Sequence, residues 1–203
     1  MKLIIMTKPT FFVEEDKIIS SLFDEGLDNL HLYKPATEPI YSERLLTLLP
    51  EDNYSMITVH SNFYLKDEYR LKGIHIDDTE TPAPQGYKGH ISRTCHTIEE
   101  LKETKKKTNY VFLKNALKCL YDSEGNDSPF TMQQLEEASD RGLIDKKVYA
   151  LGGMNIETIR IAKDLGFGGV VVCNDLWNHF DIHNQLDYKE LIVHFERLRK
   201  ATN

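Results

Sequence analysis

The stretch LGGMNIETIRIAKDLGFGGVVVCNDLW, residues 151–177, decides the fold. A strand ends at Leu151, and Gly152-Gly153 turns the chain. A helix then runs from Asn155 to Leu165 and stops at Gly166. Asn155 is a good helix N-cap, and a glycine just past the last turn is the usual stop signal. Gly169–Cys173 (GVVVC) is the next strand. It is apolar throughout, as expected for a strand covered on both faces of a parallel sheet.

The same β-turn-α rhythm extends in both directions. Strand-like runs occur at Leu3–Thr7, Leu30–Tyr33, Met56–His60, Gly73–Ile76, His90–Ser92, Tyr110–Leu113 and Val148–Leu151. With Gly169–Cys173 they make eight. Amphipathic helical patterns lie at Glu14–Gly26, Ser42–Leu49, Thr97–Lys107, Thr131–Gly142 and Asp187–Lys200. Thr97 with Glu100 reads as a capping box. Alternating strands and helices predict an α/β fold with a mostly parallel sheet. Eight strands suit a compact (β/α)8 TIM barrel, with a doubly wound open sheet as the alternative. Asp77–Lys88 (DDTETPAPQGYK) has two prolines and little apolar periodicity, so the fourth helix reads as reduced to a loop.

The 203 residues are expected to form a single domain, 1–203, with no linker inside it. Thirty-two acidic against 25 basic residues give a net charge of −7. That argues against general affinity for nucleic acid or for an anionic membrane. No apolar run approaches a membrane span, and no secretory leader is read at the start. The three cysteines, Cys95, Cys119 and Cys173, fit no zinc-binding spacing, and a sparse odd count suits a cytoplasmic setting.

In a parallel barrel the reactive groups sit at the C-terminal ends of the strands. The loops after the seventh and eighth strands ordinarily take phosphate there. Gly152-Gly153 allows close backbone approach, and a helix N-terminus offers N–H groups to an anion. Cys173-Asn174 supplies a second such turn. A tight βα turn without a ligand is the plainer reading. Three imidazoles, His31, His60 and His75, fall on strand ends. They read either as a proton-transfer or metal group or as hydrogen-bonded core residues, the latter preferred for His75. His96 lines a site or simply adjoins the cap at Thr97. The cysteines read as packing, and Trp177 as a cover on the barrel rim or a dimer surface.

Five blocks in order carry a resemblance to thiamin phosphate synthases and their TenI-like relatives. GGM followed by DLGFGGVVV resembles the family's glycine signature, and LHLYKPA resembles its second-strand block. GIHI, SRTCHTIEEL and NYVFL resemble its fourth-, fifth- and sixth-strand blocks. The resemblance implies a TIM barrel, a cytoplasmic homodimer and small phosphorylated heterocyclic substrates. The synthases join a hydroxymethylpyrimidine pyrophosphate to a thiazole phosphate with Mg²⁺ and release pyrophosphate. The TenI-like proteins tautomerise a thiazole carboxylate phosphate, and a noncatalytic, regulatory thiamin phosphate-binding barrel is a third possibility.

Carried across, the resemblance implies His31, Lys34, His60 and His96 as catalytic candidates. It implies Tyr33, Thr94, Lys114, Gly152, Gly153, Cys173 and Asn174 as substrate-binding residues, with Glu80 and Asp77 toward Mg²⁺. The chain also departs from the pattern. The second-strand Gln, Arg and Lys fall at His31, Tyr33 and Lys34 or Pro35, and the third-strand Asn-Asp pair reads His60-Ser61. The sixth-strand pyrophosphate cradle reads KNALKCLYDSEGN, with Lys114 or Lys118 as the available cations and Arg93 nearby. The tautomerase histidine after that strand is replaced by Lys114-Asn115.

Overall fold

The computed structural model describes residues 1–117, 129–181 and 188–203. Lys118, Cys119 and Asp187, the first residue expected for the last helix, lie outside these. Eight parallel strands close into a barrel in chain order, so the open sheet is excluded. They are β1 (Lys2–Met6), β2 (Leu30–Leu32), β3 (Ile57–Val59), β4 (Gly73–Ile76), β5 (His90–Cys95), β6 (Tyr110–Lys114), β7 (Val148–Leu151) and β8 (Gly169–Val172). β8 closes on β1 with Lys2 beside Gly169 and Ile5 beside Val172.

Around the barrel lie α1 (Glu15–Asp24), α2 (Pro39–Leu48), α3 (Tyr64–Glu68), α4 (Ile98–Thr104), α5 (Met132–Asp140), α6 (Ile156–Asp164), α7 (Asn174–Trp177) and α8 (Lys189–Thr202). β4 passes to β5 with no helix between them, so the loop read at Asp77–Lys88 stands. α3 and α7 escape the periodicity reading, because five and four residues are too short to show a helical period. The capping boxes at Thr97 and Thr131 are present, and Asn155 caps α6 by accepting from the amides of Glu157 and Thr158.

Two cores follow from the period of two along each strand. Leu30, Leu32, Val111, Leu113, Val170 and Val172 face outward and pack under the helices. Ile4, Met6, Tyr110, Phe112, Tyr149 and Val171 face inward. Trp177 belongs to the outer core. It is fully buried, and its indole N–H donates to the Met6 carbonyl at 2.7 Å. The expectation of a rim or dimer cover is therefore wrong, because a buried indole needs one acceptor and β1 supplies it.

Candidate active site at the barrel mouth

A cavity of about 630 Å³ opens at the C-terminal ends of the strands. Eight of the candidate residues line it: Tyr33, Asp77, Thr94, Lys114, Gly152, Gly153, Cys173 and Asn174. Asn115, Asn155, Asp175 and Asn178 join them. The signals for Asp175 and Asn178 were weak, since both sit on or just past the short α7. Asn115 takes a left-handed conformation, φ 56°, which asparagine tolerates better than most residues.

Gly152 and Gly153 both have positive φ, 101° and 67°. A Cβ on Gly152 would stand 2.9 Å from Asn115 Cα, so this glycine lets the β6 and β7 ends close together. The cap of α6 changes what the turn offers an anion. Its box occupies the amides of Asn155, Glu157 and Thr158. That leaves the backbone of the glycine turn and of Asn174, with the exposed Lys114 as the cation on this wall among the described residues.

Five candidates lie off the cavity wall. Lys34 is 1% exposed, and its ammonium donates to Glu15 at 2.6 Å and to the carbonyls of Lys8 and Thr10 at 2.9 Å. It fastens the chain before α1 and is not turned to the mouth. Burial pushes the Glu15 carboxyl up to about 7 and the Lys34 ammonium down, and their close contact works against both shifts. Glu80 is exposed on the loop after β4, where Asp78 folds back to accept from the Glu80 and Thr81 amides. His96 is exposed, with its ring 3.3 Å from the Asp77 carbonyl. Arg93 likewise is held to the Asp78 carbonyl at 3.0 Å.

His31 and His60 are buried beneath the cavity. His31 Nδ1 lies 2.8 Å from His60 Nε2, and His60 Nδ1 lies 2.9 Å from Asp77 Oδ1. His31 Nε2 meets the Tyr110 hydroxyl at 2.7 Å. His75 bonds Ser92 at 2.7 Å and Thr94 at 2.9 Å. The three rings offer ligand atoms within 4.8 Å of one another. Yet all six of their nitrogens have protein partners, so the cluster is complete without an ion. Burial holds His31 and His75 well below the ordinary imidazole range, which favours the neutral ring in both.

The implied Mg²⁺ is ordinarily held by one or two carboxylates together with water and substrate phosphate oxygens. Asp77 and Asp175 line the cavity and are the residues that would hold it, each giving one oxygen to a histidine. For Asp175 that partner is His194 of α8, at 2.6 Å. Of the described cysteines, burial pushes the Cys95 and Cys173 thiols up to about 11, which disfavours their thiolates at neutral pH.

Fold and cavity together define a (β/α)8-barrel protein with a cavity at its C-terminal mouth. The comparisons narrow this. The chain is 48% identical to a thiamine phosphate pyrophosphorylase from Bacteroides thetaiotaomicron, over 99% of this chain and 97% of that one, with a TM-score of 0.88. It belongs to the thiamine phosphate pyrophosphorylase family. A thiamine phosphate pyrophosphorylase from Pyrococcus furiosus (16% identity, 99% and 95% covered, TM-score 0.72) shares the fold. So does a 3-hexulose-6-phosphate synthase (12%, 100% of both chains, 0.66). No family model and no curated protein matches the sequence. Among the described residues no helix is long and apolar enough to cross a membrane.

Proposed function

We propose that this protein acts in thiamin formation on a phosphorylated thiazole, with the phosphate on the Gly152-Gly153 and Asn174 side and the ring toward Asp77. The reaction the geometry favours is proton transfer within that thiazole, a tautomerisation. One observation carries this reading. Gly152, Gly153 and Asn174 line the same cavity as the carboxyl of Asp77, while Lys34 is withdrawn into its pair with Glu15. A tautomerisation needs a positioned acid and base and no stabilised leaving group.

The second reading is the coupling of hydroxymethylpyrimidine pyrophosphate to thiazole phosphate. The name of the 48% identical relative favours it. In that reaction the ring nitrogen forms a C–N bond as the C–O bond to pyrophosphate breaks. The departing charge must meet cations or N–H donors, and among the described residues the wall offers Lys114.

One pair of assays separates the readings. Purified protein is given thiazole carboxylate phosphate alone, then thiazole phosphate with the pyrimidine pyrophosphate and Mg²⁺. Isomerisation without pyrophosphate release supports the first reading. Pyrophosphate release above background replaces it with the second. Tight thiamin phosphate binding with neither turnover leaves a noncatalytic binding barrel.

A further inference from the structure

Barrel interiors of this kind are dominated by branched apolar side chains. Beside its inward apolar residues this one also holds His31, His60, His75 and Tyr110, all buried. Four contacts run in series from the bottom of the barrel to its mouth. Asn29 Nδ2 donates to the Tyr110 oxygen at 3.1 Å. Tyr110 then meets His31 at 2.7 Å, His31 meets His60 at 2.8 Å, and His60 meets Asp77 at 2.9 Å.

One polarity gives every bond of this series a single hydrogen. Tyr110 accepts from Asn29, with the hydroxyls of Ser92 and Thr58 also against its oxygen, and in this polarity its own O–H donates to His31 Nε2. His31 is neutral and accepts there, so its single ring hydrogen is on Nδ1. At the other end a carboxylate only accepts, so His60 donates to Asp77 from Nδ1. Its bare Nε2 then accepts from His31. In this polarity each bond has one hydrogen.

We propose that Tyr110, His31 and His60 form one polarised hydrogen-bond chain that ties Asp77 Oδ1 and presents Asp77 Oδ2 to the cavity as the proton acceptor of the mouth. Asp77 is then the catalytic base, and the three buried residues are positioning residues. The inference rests on the tautomerisation reading above. In the step, a ring C–H bond of the phosphorylated thiazole breaks and its proton passes to Asp77 Oδ2. The electron pair stays in the conjugated ring. Asp77 returns the proton to a carbon outside the ring, which leaves the ring aromatic, so nothing is oxidised and no co-reactant is needed. The imidazoles cannot take this proton themselves, because all their nitrogens are engaged.

The test has a spectroscopic and a kinetic arm. In protein labelled with ¹⁵N-histidine, His31 and His60 should both appear as neutral Nδ1–H tautomers, the minor form of free neutral histidine. An Nε2–H tautomer or a cation at either site overturns the chain. Tyr110→Phe keeps the ring and removes the donor. It should shift the His31 and His60 nitrogen resonances and lower kcat about tenfold with KM within threefold. Unmoved resonances and kcat overturn the positioning role.

Asp77→Asn should lower the rate of tautomerisation, followed by deuterium incorporation from D2O, by about 10²–10⁴-fold. Affinity for thiazole phosphate, measured by calorimetry, should stay within threefold. A variant as fast as wild type overturns the base, as does a wild type that binds thiazole phosphate without tautomerising the carboxylate. Wild type that does not bind thiazole phosphate overturns the reading of the mouth, and the tautomer spectrum still decides the chain.

Discussion

Replacing Lys34 with Met separates a structural from a ligand-binding role. Its ammonium has three acceptors within 2.9 Å, and both it and Glu15 are 1% exposed. Glu15 Oε2 has no hydrogen-bond partner, so without Lys34 the buried carboxyl loses its cation. Breaking a buried pair from one side costs about 3–5 kcal/mol. For a chain of this length that lowers Tm by about 6–20 °C. The double variant Lys34→Met/Glu15→Leu should recover most of the loss, because it removes the stranded acid as well.

The penalty also has a pH signature. The Glu15 carboxyl is raised from 4.5 to about 7. Between those values the folded state holds a proton that the unfolded chain has released, so this group makes stability fall as pH rises. In the wild type the fall from Glu15 ends near pH 7, because Lys34 supports the carboxylate. In Lys34→Met it should continue above pH 7. Urea unfolding from pH 5 to 9 measures both effects, and calorimetry on folded protein reports ligand affinity. An unchanged unfolding midpoint together with a tenfold or greater loss of thiazole phosphate affinity would refute the reasoning. It would mean that Lys34 faces the ligand.

Gly152→Ala forces a left-handed alanine against Asn115 and should cost about 1–3 kcal/mol, with weaker thiazole phosphate binding; differential scanning calorimetry and titration report the two. Gly153→Asp puts a carboxylate where the phosphate is proposed to sit, and should abolish thiazole phosphate binding while circular dichroism stays native. Asn155→Ala removes a cap that accepts two amides at 2.9 Å, so urea unfolding should show a loss of about 1 kcal/mol. Cys95 and Cys173, with thiols pushed up to about 11, should resist alkylation at pH 7.5 in the native protein, as site-resolved mass spectrometry will show.

The barrel was legible because its signals are local and repeated. Eight short apolar runs, caps at Thr97, Thr131 and Asn155, and glycine stops such as Gly166 each declare an element without reference to the rest of the chain. Closure was not local, since it depends on β8 meeting β1 across the length of the chain. The site was half legible for the same reason. Position at a strand end is enough to place Thr94, Lys114 or Gly153 at the mouth. It does not say which way a long side chain leaves that end. Lys34 turned back to Glu15, nineteen residues earlier, and His31 turned down the barrel axis to Tyr110. The strand alternation that put His31 inside was visible in LHLY; its partner on β6 was not, because that pairing depends on barrel radius and stagger.

A crystal structure of the protein with thiazole phosphate tests the central claim most directly. The account predicts the phosphate within hydrogen-bond reach of the Gly153 and Asn174 backbone, and the thiazole ring facing Asp77 Oδ2 across the mouth. A phosphate seated elsewhere, or a ring turned away from Asp77 with that carboxylate in contact only with His60, would contradict it.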